Sequence, residues 1–148
     1  MESGFAAVWE RVTGALPAED EQAKLRRWIE DEAQSIRAYE ALLRTGLPRA
    51  AQETLRQILS KKRIRLKRLQ TVVFLRTGDI HVVSLPEEPK PPTLLRSLRS
   101  RYAAELAQAE SFRRAVSGGS DLREICAELA EGNRLTAERL RSLAERLL

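Results

Sequence analysis

At 148 residues the chain is sized for one domain with a buried core, and Leu, Ala, Arg and Glu dominate while aromatics make up 5%, the balance of a helical protein. One cysteine excludes an intramolecular disulfide or a cysteine-built metal cluster and suits a reducing cytoplasm. The net charge of +5 is concentrated: residues 48–78 carry nine basic side chains against Glu53 alone, so the remainder is net acidic.

Met1-Glu2-Ser3-Gly4 lacks the basic flank and apolar run of a signal peptide. Apolar runs such as Val72 to Leu75 are too short to span a bilayer. A soluble cytoplasmic protein with no membrane partner is expected. Phe5, Val8, Trp9 and Val12 suggest a short amphipathic turn before the first long helix.

Four helices follow, at about 20–45, 48–77, 93–117 and 121–147. Gly46-Leu47-Pro48 separates the first two, with Gly46 in the place just past a helix end and Pro48 opening the next. Thr77-Gly78-Asp79 ends the second. Residues 79–92, with Pro86, Pro89, Pro91 and Pro92, form an extended connection. Ser117 to Asp121 divides the last two, with Ser120 or Asp121 as N-cap. Two short turns around one long link predict two antiparallel hairpins joined by a crossover, an all-α, ferritin-like four-helix bundle in one domain over 1–148.

Each helix carries a seam at the coiled-coil period. Leu25, Ile29, Glu32, Ile36, Tyr39 and Leu43 mark the first, and Leu55, Ile58, Lys62, Arg65, Leu69 and Val72 the second. Leu95, Leu98, Tyr102, Glu105, Ala109, Phe112 and Val116 mark the third. Leu122, Cys126, Leu129, Asn133, Thr136, Leu140, Leu143 and Leu147 mark the fourth. Six polar residues interrupt these seams near mid-helix, which predicts that they meet at one level of a core. The halves also repeat: aligning Glu32 with Glu105 sets Ile29 on Tyr102, Ile36 on Ala109 and Tyr39 on Phe112.

One carboxylate from each of two helices, with an i,i+3 pair from each of the others, is the pattern by which ferritin-like bundles hold two metal ions. There the pair is Glu-x-x-His. Here the pairs are Lys62/Arg65 and Asn133/Thr136, and no Glu-x-x-His occurs elsewhere. The only histidine, His81, lies in the crossover, and Glu53 is the only acid of the second helix. Lys and Arg are cationic donors with no lone pair for a metal at neutral pH. With Glu32 and Glu105 they sum to zero formal charge, which predicts a structural ion-pair cluster. Asn133 and Thr136 would add neutral hydrogen bonds.

Sharper roles find less support. Lys62 as an amine nucleophile lacks a partner acid, base or phosphate loop. Cys126 reads as an inert core thiol, and Tyr39, Tyr102 and Phe112 as core fillers. His81 has no companion ligand. Glu30, Asp31, Glu110, Glu131 and Glu138 read as outer-face residues, each with an Arg three or four positions away. The basic second helix, with Lys61, Arg63, Lys67 and Arg68 as its candidate surface, reads first as a solvated face pairing with acidic neighbours. No aromatic residue interleaves these charges as a single-strand binder needs, so nucleic acid is disfavoured.

Trp28-Ile29-Glu30-Asp31-Glu32, Leu66-Lys67-Arg68-Leu69-Gln70-Thr71 and Leu129-Ala130-Glu131 resemble the rubrerythrin-like branch of the ferritin-like superfamily, in particular its small single-domain members from anaerobic bacteria. The resemblance extends over about 5–148. It implies a bacterial protein, and it implies Glu32 and Glu105 as single-carboxylate ligands of a di-iron centre used for peroxide reduction or iron handling. Lys62 and Asn133 stand where bridging glutamates belong, Arg65 and Thr136 where histidines belong, and the rubredoxin-type Cys-x-x-Cys module is absent. No cofactor is therefore expected, although the family would use two iron ions. The leading expectation is a metal-free scaffold or protein-interaction module, not an enzyme, whose partner is a second copy or another protein. The alternatives are a di-iron oxidoreductase or iron-binding protein with a divergent site, and a binder of nucleic acid or acidic protein through the second helix.

Overall fold

The computed structural model of the chain describes residues 19–85, 87–88, 90–117 and 122–148. Among them are four helices and no strand: α1 (Glu19–Leu43), α2 (Arg49–Thr77), α3 (Leu94–Ser117) and α4 (Arg123–Leu147). This is the all-helical class expected, and it is consistent with a four-helix bundle. The suggested turn at Phe5, Val8, Trp9 and Val12 lies outside the described residues, as do Pro86, Pro89, Ser120 and Asp121. No described helix is long and apolar enough to cross a membrane.

The helix ends correct two local expectations. α1 stops at Leu43, and Gly46 does not take the left-handed conformation. Thr45 closes the end instead: its backbone N–H (3.0 Å) and its Oγ1 hydroxyl (2.7 Å) both donate to the Leu42 carbonyl, so a side chain satisfies a terminal carbonyl without a glycine. α4 begins at Arg123 with Leu122, not Ser120 or Asp121, in the N-cap position and with no side-chain cap bond. Leu122 is fully buried, so an apolar anchor sets this end. The end of α2 behaves as expected. Gly78 has φ +79° and its N–H donates to Phe74 O at 2.8 Å, the glycine-dependent αL closure.

The chain groups into two compact units, Met1–Tyr39 with Leu59–Glu88 and Glu40–Ile58 with Pro89–Leu148. In the first, α1 contributes Leu25, Trp28, Ile29, Ile36 and Tyr39 to the core, and α2 contributes Leu59, Leu69, Val72 and Val73. In the second, α3 packs along α4. Its core draws Leu98, Ala109 and Phe112 from α3 and Ile125, Cys126, Leu129, Leu140 and Leu143 from α4. Each such aliphatic contributes about 1.5–3 kcal/mol by leaving water. Nearly every predicted seam position is buried or half-buried. Leu95 is the exception: in the first turn of α3 it stays partly exposed at the rim of a groove.

Candidate functional site

In the first unit the seam of α1 delivers Glu32 to a spot where it is only 1% exposed. On α2, Lys62 and Arg65 are one turn apart and therefore share a face. Both reach the same oxygen: Lys62 Nζ lies 3.6 Å and Arg65 Nε 4.0 Å from Glu32 Oε1. The Lys62 side chain is 1% exposed and that of Arg65 is 14%. These separations exceed ordinary hydrogen-bond lengths, so charge holds the group more than directional bonding does. Lys62 Nζ also stands 5.9 Å from the centroid of the Tyr39 ring, within range of a cation–π attraction. In so dry a setting, attraction between opposite charges is strong, and so is the penalty for stranding one of them.

In the second unit Glu105, Asn133 and Thr136 are all buried. Asn133 Nδ2 donates to Gln108 Oε1 at 2.9 Å. Gln108 was not singled out in the sequence, yet it stands at i+3 from Glu105 and so projects from the same face of α3. That spacing was the available signal. A second omission is the ion pair of buried Arg76 with half-buried Glu21, whose Nη1 and Oε2 are 3.5 Å apart. Both continue seams already traced, Glu21 four residues before Leu25 and Arg76 seven after Leu69. Extending each seam by one step would have found them.

The basic run of α2 divides by helical phase. Lys62, Arg65 and Arg76 turn inward onto the acids of α1. Lys61, Arg63, Lys67 and Arg68 are exposed. His81 Nε2 sits 3.2 Å from Glu30 Oε1, tying the start of the crossover to α1. Cys126 is buried. Tyr102 helps line an apolar groove of about 450 Å³ with Leu98, Leu140 and Ala144.

The outer acids pair locally, as expected for Glu110 with Arg113 and Arg114, Glu131 with Arg134, and Glu138 with Arg141. The hydrogen bond from Arg134 holds the Glu131 carboxyl below the ordinary glutamate range. Asp31 moves the other way: partial burial raises it above the usual aspartate value, Arg27 opposes that, and the charges of Glu30 and Glu32 add to it.

Compared with known proteins, the chain matches no family model, no curated protein and no solved structure. What the arrangement can do must therefore come from its donors. Two cations converge on Glu32, and neither has a lone pair to share. Asn133 donates to a neutral amide, that of Gln108. Among the described residues no three His, Cys, Asp or Glu side chains gather as a metal ion needs. Glu32, Lys62, Arg65, Glu105, Asn133 and Thr136 do not offer two iron ions the several carboxylate and imidazole donors that they demand.

Proposed function

We propose that the chain is a ferritin-like, rubrerythrin-related helical bundle in which a Glu/Lys/Arg cluster stands in for the di-metal site, and that it works without metal as a scaffold or protein-interaction module. One observation carries this reading: Lys62 and Arg65, an i,i+3 pair on α2, both address the buried carboxylate of Glu32. A metal ion at that carboxylate would have to displace a buried ammonium and sit against a guanidinium, at a heavy electrostatic cost.

The hairpin arrangement draws support from the order of the partners. Glu21 pairs with Arg76 and Glu32 with Lys62, so position advances on α1 as it retreats on α2. The pairing of Gln108 with Asn133 and the groove formed by Leu98 with Leu140 follow the same rule on α3 and α4. The long connection between α2 and α3 then serves as the crossover.

Elemental analysis and activity assays on aerobically purified protein test the reading. No stoichiometric iron, manganese or zinc should survive gel filtration, and neither ferroxidase nor peroxidase turnover should be detectable. Metal near two ions per chain, roughly the family stoichiometry, would overturn it in favour of the divergent di-iron reading. The quadruple variant Lys62→Glu, Arg65→His, Asn133→Glu, Thr136→His rebuilds Glu-x-x-His on both helices. It should gain Fe(II) or Mn(II) binding and a metal-dependent rise in Tm that the parent lacks. If parent and variant respond identically, the ferritin-like reading is wrong.

A further inference from the structure

The outward side of α2 is not a simple charged face. Opposite Lys62 on the helix lie Lys61, Ile64, Lys67, Arg68, Thr71, Phe74 and Leu75, all exposed. Ile64 is 51%, Phe74 46% and Leu75 56% exposed. Lys61 and Lys67 make no ion pair among the described residues, unlike the arginines and Lys62 that turn inward. Along this row the chemistry alternates. An apolar point at Ile64 is followed by a basic step at Lys67 and Arg68, then by a second apolar point at Phe74 and Leu75. Ten residues of helix separate the two apolar points, about 15 Å.

Each class of acidic partner meets this row differently. A nucleic-acid backbone would satisfy the cations and leave Ile64, Phe74 and Leu75 wet. A bilayer favours helices whose apolar and basic residues lie on separate faces, and here inserting the two apolar points would draw Lys67, Arg68 and Thr71 to the same depth. A second copy of the chain is a poorer match because four acids of its α3 and α4 already face arginines: Glu110 with Arg113 and Arg114, Glu131 with Arg134, and Glu138 and Glu145 with Arg141. A helical ridge with the complementary order, apolar then acidic then apolar, buries the hydrophobic points and pairs the cations at once.

We infer that the outer face of α2, from Lys61 to Leu75, is a docking surface for an acidic amphipathic helix of another protein. This goes beyond the metal-free scaffold reading and uses residues on the opposite side of α2 from Lys62. Its failure would leave the buried cluster as described, and metal found at that cluster would leave this surface intact.

A labelled helical peptide tests it, with Leu at two positions ten residues apart and Glu three, four and seven residues after the first. Fluorescence anisotropy with the full chain should show binding at least about tenfold tighter than to a shuffled peptide of equal composition and charge, and weaker binding in higher salt. Lys61→Glu with Lys67→Glu should weaken it by roughly tenfold or more, as should Ile64→Ser with Phe74→Ser, each at unchanged Tm. The charge-reversed pair is fully on the surface, so it keeps the test decisive if the apolar pair lowers Tm. Equal affinity for patterned and shuffled peptides overturns the proposal. So does stronger binding to phosphatidylglycerol vesicles or random duplex DNA, or loss of peptide binding through self-association on gel filtration.

Discussion

Two buried polar groups occupy corresponding places in the repeat, each with a buried glutamate, and the residues set against the two glutamates differ in chemistry. In the first unit Glu32 faces Lys62 and Arg65, and long-range charge attraction does the work at 3.6 and 4.0 Å. In the second, the residues matching that cationic pair are Asn133 and Thr136, and Asn133 donates an ordinary amide–amide hydrogen bond of 2.9 Å to Gln108. An ion cluster is strong only while complete, because each member cancels the desolvation cost of another. A neutral hydrogen bond is worth less and leaves less behind when it is lost. The same position in a repeat can thus carry very different mutational risk.

The largest effect should come from breaking the charged cluster. Lys62→Ala should cost about 3–5 kcal/mol in denaturant melts, since it removes the most buried cation beside Glu32. Replacing the three members together, Glu32→Leu with Lys62→Met and Arg65→Leu, should cost less than the sum of single losses, because these three charges no longer strand one another. A cost under about 1 kcal/mol for Lys62→Ala would mean that its ammonium is solvated, and the contrast between the units would disappear.

Next in size is the amide pair of Asn133 and Gln108. Asn133→Ala should cost about 1–3 kcal/mol, the range for a lost hydrogen bond with one amide left partly unsatisfied. Its effect should hardly change with salt. A loss as large as that of Lys62→Ala, or one strongly reduced by salt, would show that Asn133 belongs to an ionic network.

The smallest effect concerns Asp31, beside the cluster on α1. Because burial raises its folded-state pKa above the ordinary aspartate value, the folded chain holds that proton more tightly than the unfolded chain does. Stability is then favoured below the ordinary aspartate pKa and is lost as pH rises through the window up to the raised value. Asp31→Asn should therefore raise the unfolding free energy at neutral pH, by well under about 1 kcal/mol after solvent screening, with a matching rise in Tm. The gain should vanish when the melts are repeated in acid. A gain that persisted unchanged at low pH would place its origin outside the carboxyl's charge.

Much of this could be read in the chain before any coordinates. Alternating steps of three and four residues located the helices, and the interruptions by Glu32, Lys62, Glu105, Asn133 and Thr136 marked buried polar sites, because periodicity alone says which residues face inward. Gly78 was legible as a helix terminator because its positive φ suits glycine. Gly46 misled, since a side chain such as Thr45 can satisfy the same carbonyl and sequence spacing does not say which solution is used. The partners of each buried group lay beyond reach in the sequence: that Lys62 and Arg65 share one oxygen of Glu32, that Asn133 finds Gln108, and that Arg76 finds Glu21. Those pairings join residues distant along the chain, and their distances are set by how helices pack. Sequence determined which faces are buried and which charges lie on them; only the tertiary structure decided which charge meets which, because register between helices is a property of packing and not of period.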